Sequence, residues 1–147
     1  MSNELAEMNI KFDFPKPVEL VKYLLGFYSD KDSIILDSFA GSGTTAHAVL
    51  NMNKADGGNR KFICIEMMDY ADTITAERVK RVINGYGEGK KAVDGTGGSF
   101  SYYELGESLL VDDKLNNAVS TEKSVNISTI WKPNRRCRRQ LLTNRCF

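Results

Sequence analysis

A helical pattern of apolar residues marks the segment from Pro17 to Tyr28. Its apolar positions recur at i, i+3, i+4 and i+7: Val21, Leu24, Leu25 and Tyr28. This spacing predicts an amphipathic helix with one apolar face. Pro17 suits the first turn, where a missing amide hydrogen costs nothing. Residues 1–13 lack such a pattern, and we expect them to form a loose lead-in.

Two short apolar runs, 33–37 and 61–67, predict β-strands. The first has the composition of a strand buried on both faces, as in a parallel sheet. Between the two runs, the residues from Thr44 to about Asn53 predict a helix, which the sequence Asp56-Gly57-Gly58 should end.

The segment after the second run predicts another helix. Its apolar side comprises Ala76, Val79 and Ile83. Asp69 or Asp72 could cap its start, and Gly85 stands at its expected end. A glycine-rich loop, 86–98, follows, and the aromatic run 99–105 predicts a third strand.

Strands and helices therefore alternate along the chain. This order predicts an α/β fold, a half-size doubly wound unit with a parallel sheet and flanking helices. Such sheets bind ligands at the carboxyl ends of their strands.

Charge is distributed unevenly. Residues 1–111 contain 12 Lys/Arg and 16 Asp/Glu, whereas residues 112–147 contain 8 and 3. We expect 112–147 to be a basic, poorly ordered tail, in which 128–132 could form a short strand. A contact with nucleic-acid phosphates is the alternative interpretation of its charge.

The cysteines and the hydropathy of the chain argue against a metal site and against a membrane or secreted protein. The three cysteines and the single His47 have no metal-ligand spacing, so no metal site is predicted. We find neither a membrane span nor a signal peptide, and we expect a cytoplasmic protein.

The candidate site is the turn between the first strand and its helix. Gly41 and Gly43 fit the relaxed pattern G-x-G-x-x-G/A, which brings a ligand close to the backbone. Glu66, at the end of the second strand, could accept hydrogen bonds from ribose hydroxyls. An adenosine-type cofactor is therefore favoured over a tight turn that binds nothing.

Asp37 discriminates among nucleotide ligands. No lysine follows Gly43, which excludes a phosphate-binding P-loop. A carboxylate before the turn would repel the pyrophosphate of NAD and attract the ammonium and sulfonium of S-adenosylmethionine. At about 4 Å and an effective dielectric of 20, either interaction is roughly 4 kcal/mol. Asp37 thus favours S-adenosylmethionine, although it could instead be a turn-capping residue.

These segments resemble amino-group DNA methyltransferases of the β-ordered group. "FPKPVELVKYLL" is similar to their motif X, "LDSFAGSGTT" to motif I, and "FICIEMMDYADTITAERVKRVI" to the motif II region. The stretch "FAGSGTTAHAVLNMNKADGGNRKFICIEM" resembles the modification subunit of type III restriction–modification systems. The resemblance covers about residues 10–111, and it implies a Rossmann-like methyltransferase fold, of which residues 14–111 would be the cofactor-binding part.

The resemblance also implies roles for individual residues. Those expected to bind S-adenosylmethionine are Phe14, Lys16 and Pro17 near its methionine end, Asp37, Phe39, Ala40, Gly41, Gly43 and Thr44 in the turn, and Glu66 at the ribose. Phe14 and Lys16 could be only the approach to a helix, and Phe39 could be a core residue. His47 is interpreted as a packing or surface residue.

One motif of the family is absent from the sequence. Its members hold the target amine with an Asp/Asn/Ser-Pro-Pro-aromatic loop, and here Pro15, Pro17 and Pro133 are never adjacent. No catalytic residue is therefore assigned. We expect the chain to be the C-terminal part of a longer methyltransferase or one piece of a split one, and to be inactive alone.

Partners and function follow from the resemblance. The expected function is the cofactor-binding portion of a DNA adenine-N6 methyltransferase of a restriction–modification system. The remaining half would bind DNA, and either that half or the tail would cover a bare edge of strand 33–37. A restriction subunit is a further candidate partner. The alternatives are a non-catalytic remnant or interaction module and an NAD-linked enzyme.

Overall fold

The computed structural model describes residues 3–108, 110–112, 114–117 and 140–146. The chain divides into two compact units, Met1–Ser99 and Phe100–Phe147. Within the described residues, no helix is long and apolar enough to cross a membrane.

The first unit is a mixed α/β structure. Its elements are α1 (Asn3–Glu7), α2 (Val18–Tyr28), β1 (Ile34–Asp37), α3 (Thr44–Asp56), β2 (Lys61–Cys64), a π-helical turn (Ala71–Ala76), α4 (Glu77–Asn84), β3 (Gly85–Tyr86), a 3-10 turn (Gly89–Lys91) and β4 (Val93–Asp94). The predicted helices and the first two predicted strands are therefore confirmed, but the second strand, predicted over 61–67, ends at Cys64, so that Glu66 lies just beyond it.

Strands β1 and β2 form a parallel pair in which Ile34 lies opposite Lys61 and Asp37 opposite Cys64. Helix α3 packs against β2, and α2 packs against α3. Side chains alternate between the two faces of a sheet, and the residues on the α3 side are half-buried.

The other face of this pair is exposed, which contradicts the expectation of a strand buried on both faces. Ile34 and Leu36 are 65% and 62% exposed, and Ile63 and Ile65 lie beside them on the same face. The apolar run was interpreted correctly as a strand, but within the described residues no layer covers its second face.

Within the segment expected to be a loose lead-in, the described residues 3–13 are packed. Leu5, Met8 and Ile10 are buried, and α1 turns back through hydrogen bonds such as Ile10 N to Leu5 O at 2.9 Å. A five-residue helix is too short to produce a recognisable period, so the sequence did not indicate it.

Helices α3 and α4 both end at a glycine, as predicted. Gly57 caps α3 in the left-handed conformation, and Gly85 caps α4. The start of α4 differs from the prediction. Tyr70, rather than Asp69 or Asp72, occupies the N-cap of the π-helical turn that leads into α4.

The third strand does not extend the parallel sheet. Residues 101–108 form β5, which pairs antiparallel with β8 (Gln140–Cys146), and β6 (Leu110–Val111) pairs with β7 (Lys114–Leu115). The aromatic run predicted a strand correctly, but its antiparallel partner lies within the segment expected to be poorly ordered. The segment 128–132 lies outside the described residues.

The glycine-rich loop also contains regular structure. Gly85 and Tyr86 pair antiparallel with Asp94 and Val93, so that β3 and β4 form a short hairpin after α4.

Candidate functional site

The turn from Asp37 to Thr44 depends on glycine at two positions. Gly41 and Gly43 have φ of 53° and 78°, a region that other residues rarely adopt. A Cβ on Gly43 would lie 3.1 Å from the carbonyl oxygen of Thr75. The turn and the π-helical segment therefore approach each other backbone to backbone.

Asp37 organises the first half of the turn. Its Oδ1 accepts a hydrogen bond from the Phe39 amide at 3.1 Å, and its Oδ2 accepts one from the Thr45 hydroxyl at 2.5 Å. The turn-capping role considered for Asp37 is thus present in the structure. A carboxylate can accept about four hydrogen bonds, so capping leaves acceptor capacity for a ligand.

Glu66 holds the second half of the turn, at Gly41. Its Oε2 accepts from the Gly41 amide at 2.7 Å, while its Oε1 accepts from the amides of Met67 and Met68 at 2.9 and 3.0 Å. The sequence suggested only a ligand-binding role. The structure adds a structural role, because this side chain joins the end of β2 to the glycine turn.

Three further contacts hold the turn. Thr75 donates its hydroxyl to the Gly41 carbonyl at 2.5 Å, and the Ala40 amide donates to the Ile65 carbonyl at 3.0 Å. The buried Thr44 donates its hydroxyl to the Lys16 carbonyl at 3.3 Å, which connects the segment before α2 to the start of α3. Pro17 is the N-cap of α2. The side-chain contacts of Thr45 and Thr75 were not predicted, because single threonines carry no pattern.

Apolar side chains are exposed at the carboxyl ends of the strands. Phe39 follows β1 and Met67 follows β2, and both are 87% exposed. The alternative of Phe39 as a core residue is therefore wrong. Phe14 is 94% exposed, with a positive φ of 53°. Phe39 and Met67 therefore provide apolar surface beside the carboxylates of Asp37 and Glu66, to which their amides are hydrogen-bonded.

A buried polar cluster lies behind the turn. Arg78, on α4, is fully buried and contacts Ser42, Thr44 and His47. His47 is also buried, with its ring edge-on to Tyr86, so its interpretation as a packing residue holds. Burial, followed by the charge of Arg78, lowers the pKa of His47 to about 3. Arg78 was missed because a helical arginine is normally exposed.

Cys64 lies opposite Asp37 in the parallel pair of strands. Burial, followed by the charge of Asp37, raises the pKa of its thiol to about 12. It is therefore neutral at physiological pH and a poor nucleophile. Among the described residues, no three His, Cys, Asp or Glu side chains are grouped to hold a metal ion.

Several known proteins resemble part of this chain. The Mod subunit of the type III restriction-modification enzyme StyLTI of Salmonella typhimurium is 58% identical over 52 residues, which are 35% of this chain and 8% of that protein. The probable HindVI Mod subunit of Haemophilus influenzae is 41% identical over 92 residues, 61% of this chain and 12% of that protein.

A type II enzyme matches as well. The methyltransferase M.KpnI of Klebsiella pneumoniae is 47% identical over 55 residues, 37% of this chain and 13% of that protein. The chain thus spans between 8% and 13% of the length of these three relatives. A family model described as DNA methylase matches residues 2–77, more than half of the 147. The chain therefore belongs to the DNA methylase family and is similar to the modification subunits of type III restriction-modification enzymes.

Proposed function

We propose that this chain is the S-adenosylmethionine-binding portion of a site-specific DNA adenine-N6 methyltransferase of a restriction–modification system. The observation that carries the proposal is the glycine turn with Asp37 at its start, in a member of the DNA methylase family. In this proposal, β1, α3 and β2 are part of a Rossmann-like methyltransferase fold within residues 14–111, preceded by 1–13 and followed by a basic segment, 112–147.

The chemistry of the turn fits a zwitterionic adenosine cofactor. Asp37 supplies negative charge at the end of β1, which favours an ammonium or sulfonium nearby. The N-terminus of α3 has no acidic residue in its first turn and favours a carboxylate. Exposed aromatic side chains offer apolar surface for a purine.

The proposed binding residues fall into two groups. The turn and the strand ends contribute Asp37, Phe39, Ala40, Gly41, Gly43, Thr44 and Glu66, and the segment before α2 contributes Phe14, Lys16 and Pro17. Glu66 holds the Gly41 amide and has remaining acceptor capacity for a ribose hydroxyl.

The chain's own residues bind and orient; none is proposed to take part in proton transfer. The cofactor, when bound, supplies an electrophilic methyl group. A flipped adenine needs an acceptor for its amine protons and an aromatic surface. In the family the Pro-Pro-aromatic loop provides both, and the printed sequence has no adjacent prolines. We therefore propose that the chain alone does not methylate DNA.

The exposed face of the β1–β2 pair supports a macromolecular partner. Four large apolar side chains lie on it, and β1 pairs only with β2 within the described residues. Patches of this kind mark interaction surfaces. We propose that the remaining half of the methyltransferase covers it and contacts DNA, that a restriction subunit can join the assembly, and that the complex acts in the cytoplasm.

Calorimetry with the whole chain tests the proposal. We expect heat of binding with S-adenosylmethionine and weaker or no binding with NAD. No heat at millimolar S-adenosylmethionine would support a non-catalytic remnant, and a preference for NAD would support a dehydrogenase-like protein. DNA methylation should require a second polypeptide that carries the Pro-Pro-aromatic half of a type III modification subunit.

A further inference from the structure

Arg78 is a buried cation whose polar partners are neutral. Its Nη1 donates to Ser42 Oγ at 2.9 Å, to Thr44 Oγ1 at 2.8 Å and to the Ser42 carbonyl at 3.3 Å. Among the described residues, no carboxylate lies within ion-pair distance of it, although the negative charge of Glu4 acts on it from farther away. Burying a charged side chain without an ion-pair partner costs free energy of folding, so its hydrogen bonds to neutral groups must offset that cost.

His47 is the remaining hydrogen-bond partner of the Arg78 guanidinium. Arg78 Nε and Nη2 lie 3.3 and 3.2 Å from His47 Nδ1. Because a guanidinium has donors only, Nδ1 must be the acceptor, and the imidazole is neutral with its hydrogen on Nε2. The guanidinium therefore binds two different parts of the chain. Its Nη1 holds the glycine turn, and its Nε and Nη2 hold His47 near the start of α3.

We propose that Arg78 is a positioning residue for the cofactor turn. It fixes Ser42 and Thr44, which flank Gly43, while His47 orients the guanidinium. This inference rests on the proposed cofactor site, and it adds α4 to the parts of the chain that set the affinity of that site. Arg78 does not touch the cofactor, because its side chain is fully buried.

Arg81 provides a matched control on the same helix. It is half-buried and pairs with Glu77 at 2.8 Å within α4. Arg81→Met removes the same charge without removing a contact to the turn. Arg78→Met removes both, and Arg78→Lys keeps the charge but offers a single nitrogen that cannot span the turn and His47 together.

Amide hydrogen exchange of the whole chain separates positioning from general stability. The amides of Gly41 and Gly43, bonded to Glu66 and Ala40, report on the turn, and that of Ser29, bonded to Leu25, reports on α2. We expect Arg78→Met to raise exchange at the two glycines by about tenfold or more relative to Ser29. Arg81→Met should leave that ratio unchanged.

Calorimetry with S-adenosylmethionine supplies the second measurement. Arg78→Lys and Arg78→Met should weaken binding by about tenfold or more, and Arg81→Met by less than about twofold. If Arg78→Met does not fold, Arg78→Lys carries the test.

The outcomes distinguish the two proposals. Uniform acceleration of exchange at all three amides, or Arg78→Lys with wild-type exchange and affinity, would overturn positioning by the guanidinium fork. Failure of the wild-type chain to bind S-adenosylmethionine would instead contradict the proposed function, while the exchange ratio would still decide the role of Arg78.

Discussion

The carboxylate of Glu66 accepts a hydrogen bond from the Gly41 amide at 2.7 Å, across 25 residues of sequence. This contact joins the end of β2 to the turn that follows β1. A side chain proposed to bind ribose therefore also determines the shape of the turn beneath the ligand.

Glu66→Gln should destabilise the protein. The variant replaces one acceptor oxygen by a donor that faces backbone amides, so we expect a loss of about 1–3 kcal/mol in the free energy of unfolding. Urea denaturation measures it. Glu19→Gln, which breaks only the exposed pair with Lys22, should cost less than about 1 kcal/mol. Equal losses in the two variants would contradict the structural role of Glu66.

Gly43→Ala should cost more than Gly57→Ala. Both glycines have positive φ, 78° and 66°, but only at Gly43 would the new Cβ meet a neighbour, Thr75 O at 3.1 Å. We expect about 1 kcal/mol for Gly57→Ala and clearly more for Gly43→Ala by thermal or urea unfolding. Similar losses would show that crowding at Thr75 is unimportant.

Acid should destabilise the fold through His47. Its pKa is about 3 in the folded chain and about 6.5 unfolded, so the unfolded state binds the proton first as the pH falls. The free energy of unfolding should therefore decrease from pH 7 towards pH 4, by about 3 kcal/mol from this residue. In His47→Gln, which keeps an acceptor for Arg78, this decrease should be smaller.

The wild type and His47→Gln should be measured over the same pH range, so that pH-dependent contributions common to both cancel. One such contribution comes from Glu4, because burial raises its pKa. Parallel pH profiles of the two proteins would contradict a buried, neutral His47. The wild-type imidazole signal, the only one in the chain, should not titrate between pH 5 and 8.

The exposed sheet face should make the isolated chain self-associate. Leu36→Lys adds a charge to that face at a side chain that is already 62% exposed, so it should reduce association with little change in stability. Sedimentation velocity measures the association. Lys61→Leu, on the same face, should increase it. Unchanged association in both variants would exclude this face as an interaction surface.

The elements that could be predicted from the sequence are those marked by a local pattern of residues. Periodicity located α2, short apolar runs located β1 and β2, start and stop residues located α3, and the glycine spacing located the turn. The buried segment around Leu5 was not predicted because its helix is too short to show a period, and the burial of Arg78 was not predicted because it depends on contacts with residues distant in sequence. Arg78, for example, meets Ser42 36 residues away.

The pairing of β5 was not predictable for a related reason. Alternating aromatic and polar residues specify a strand but not its neighbour. The partner, β8, lies beyond a long segment and within a basic stretch that composition alone had assigned to a tail.

Calorimetric titration of S-adenosylmethionine into Asp37→Asn tests the central claim most directly. Asparagine keeps the size and removes the charge: its Oδ1 can still accept from the Phe39 amide, and its Nδ2 can donate to the Thr45 hydroxyl, which is the donor in the wild type. We predict affinity lower by about tenfold to a hundredfold, within the roughly 4 kcal/mol available to such a charge pair. Asp32→Asn, an equal charge change at an exposed position before β1, should have no such effect. Undiminished affinity in Asp37→Asn would contradict the claim that a carboxylate at this turn selects a cationic cofactor.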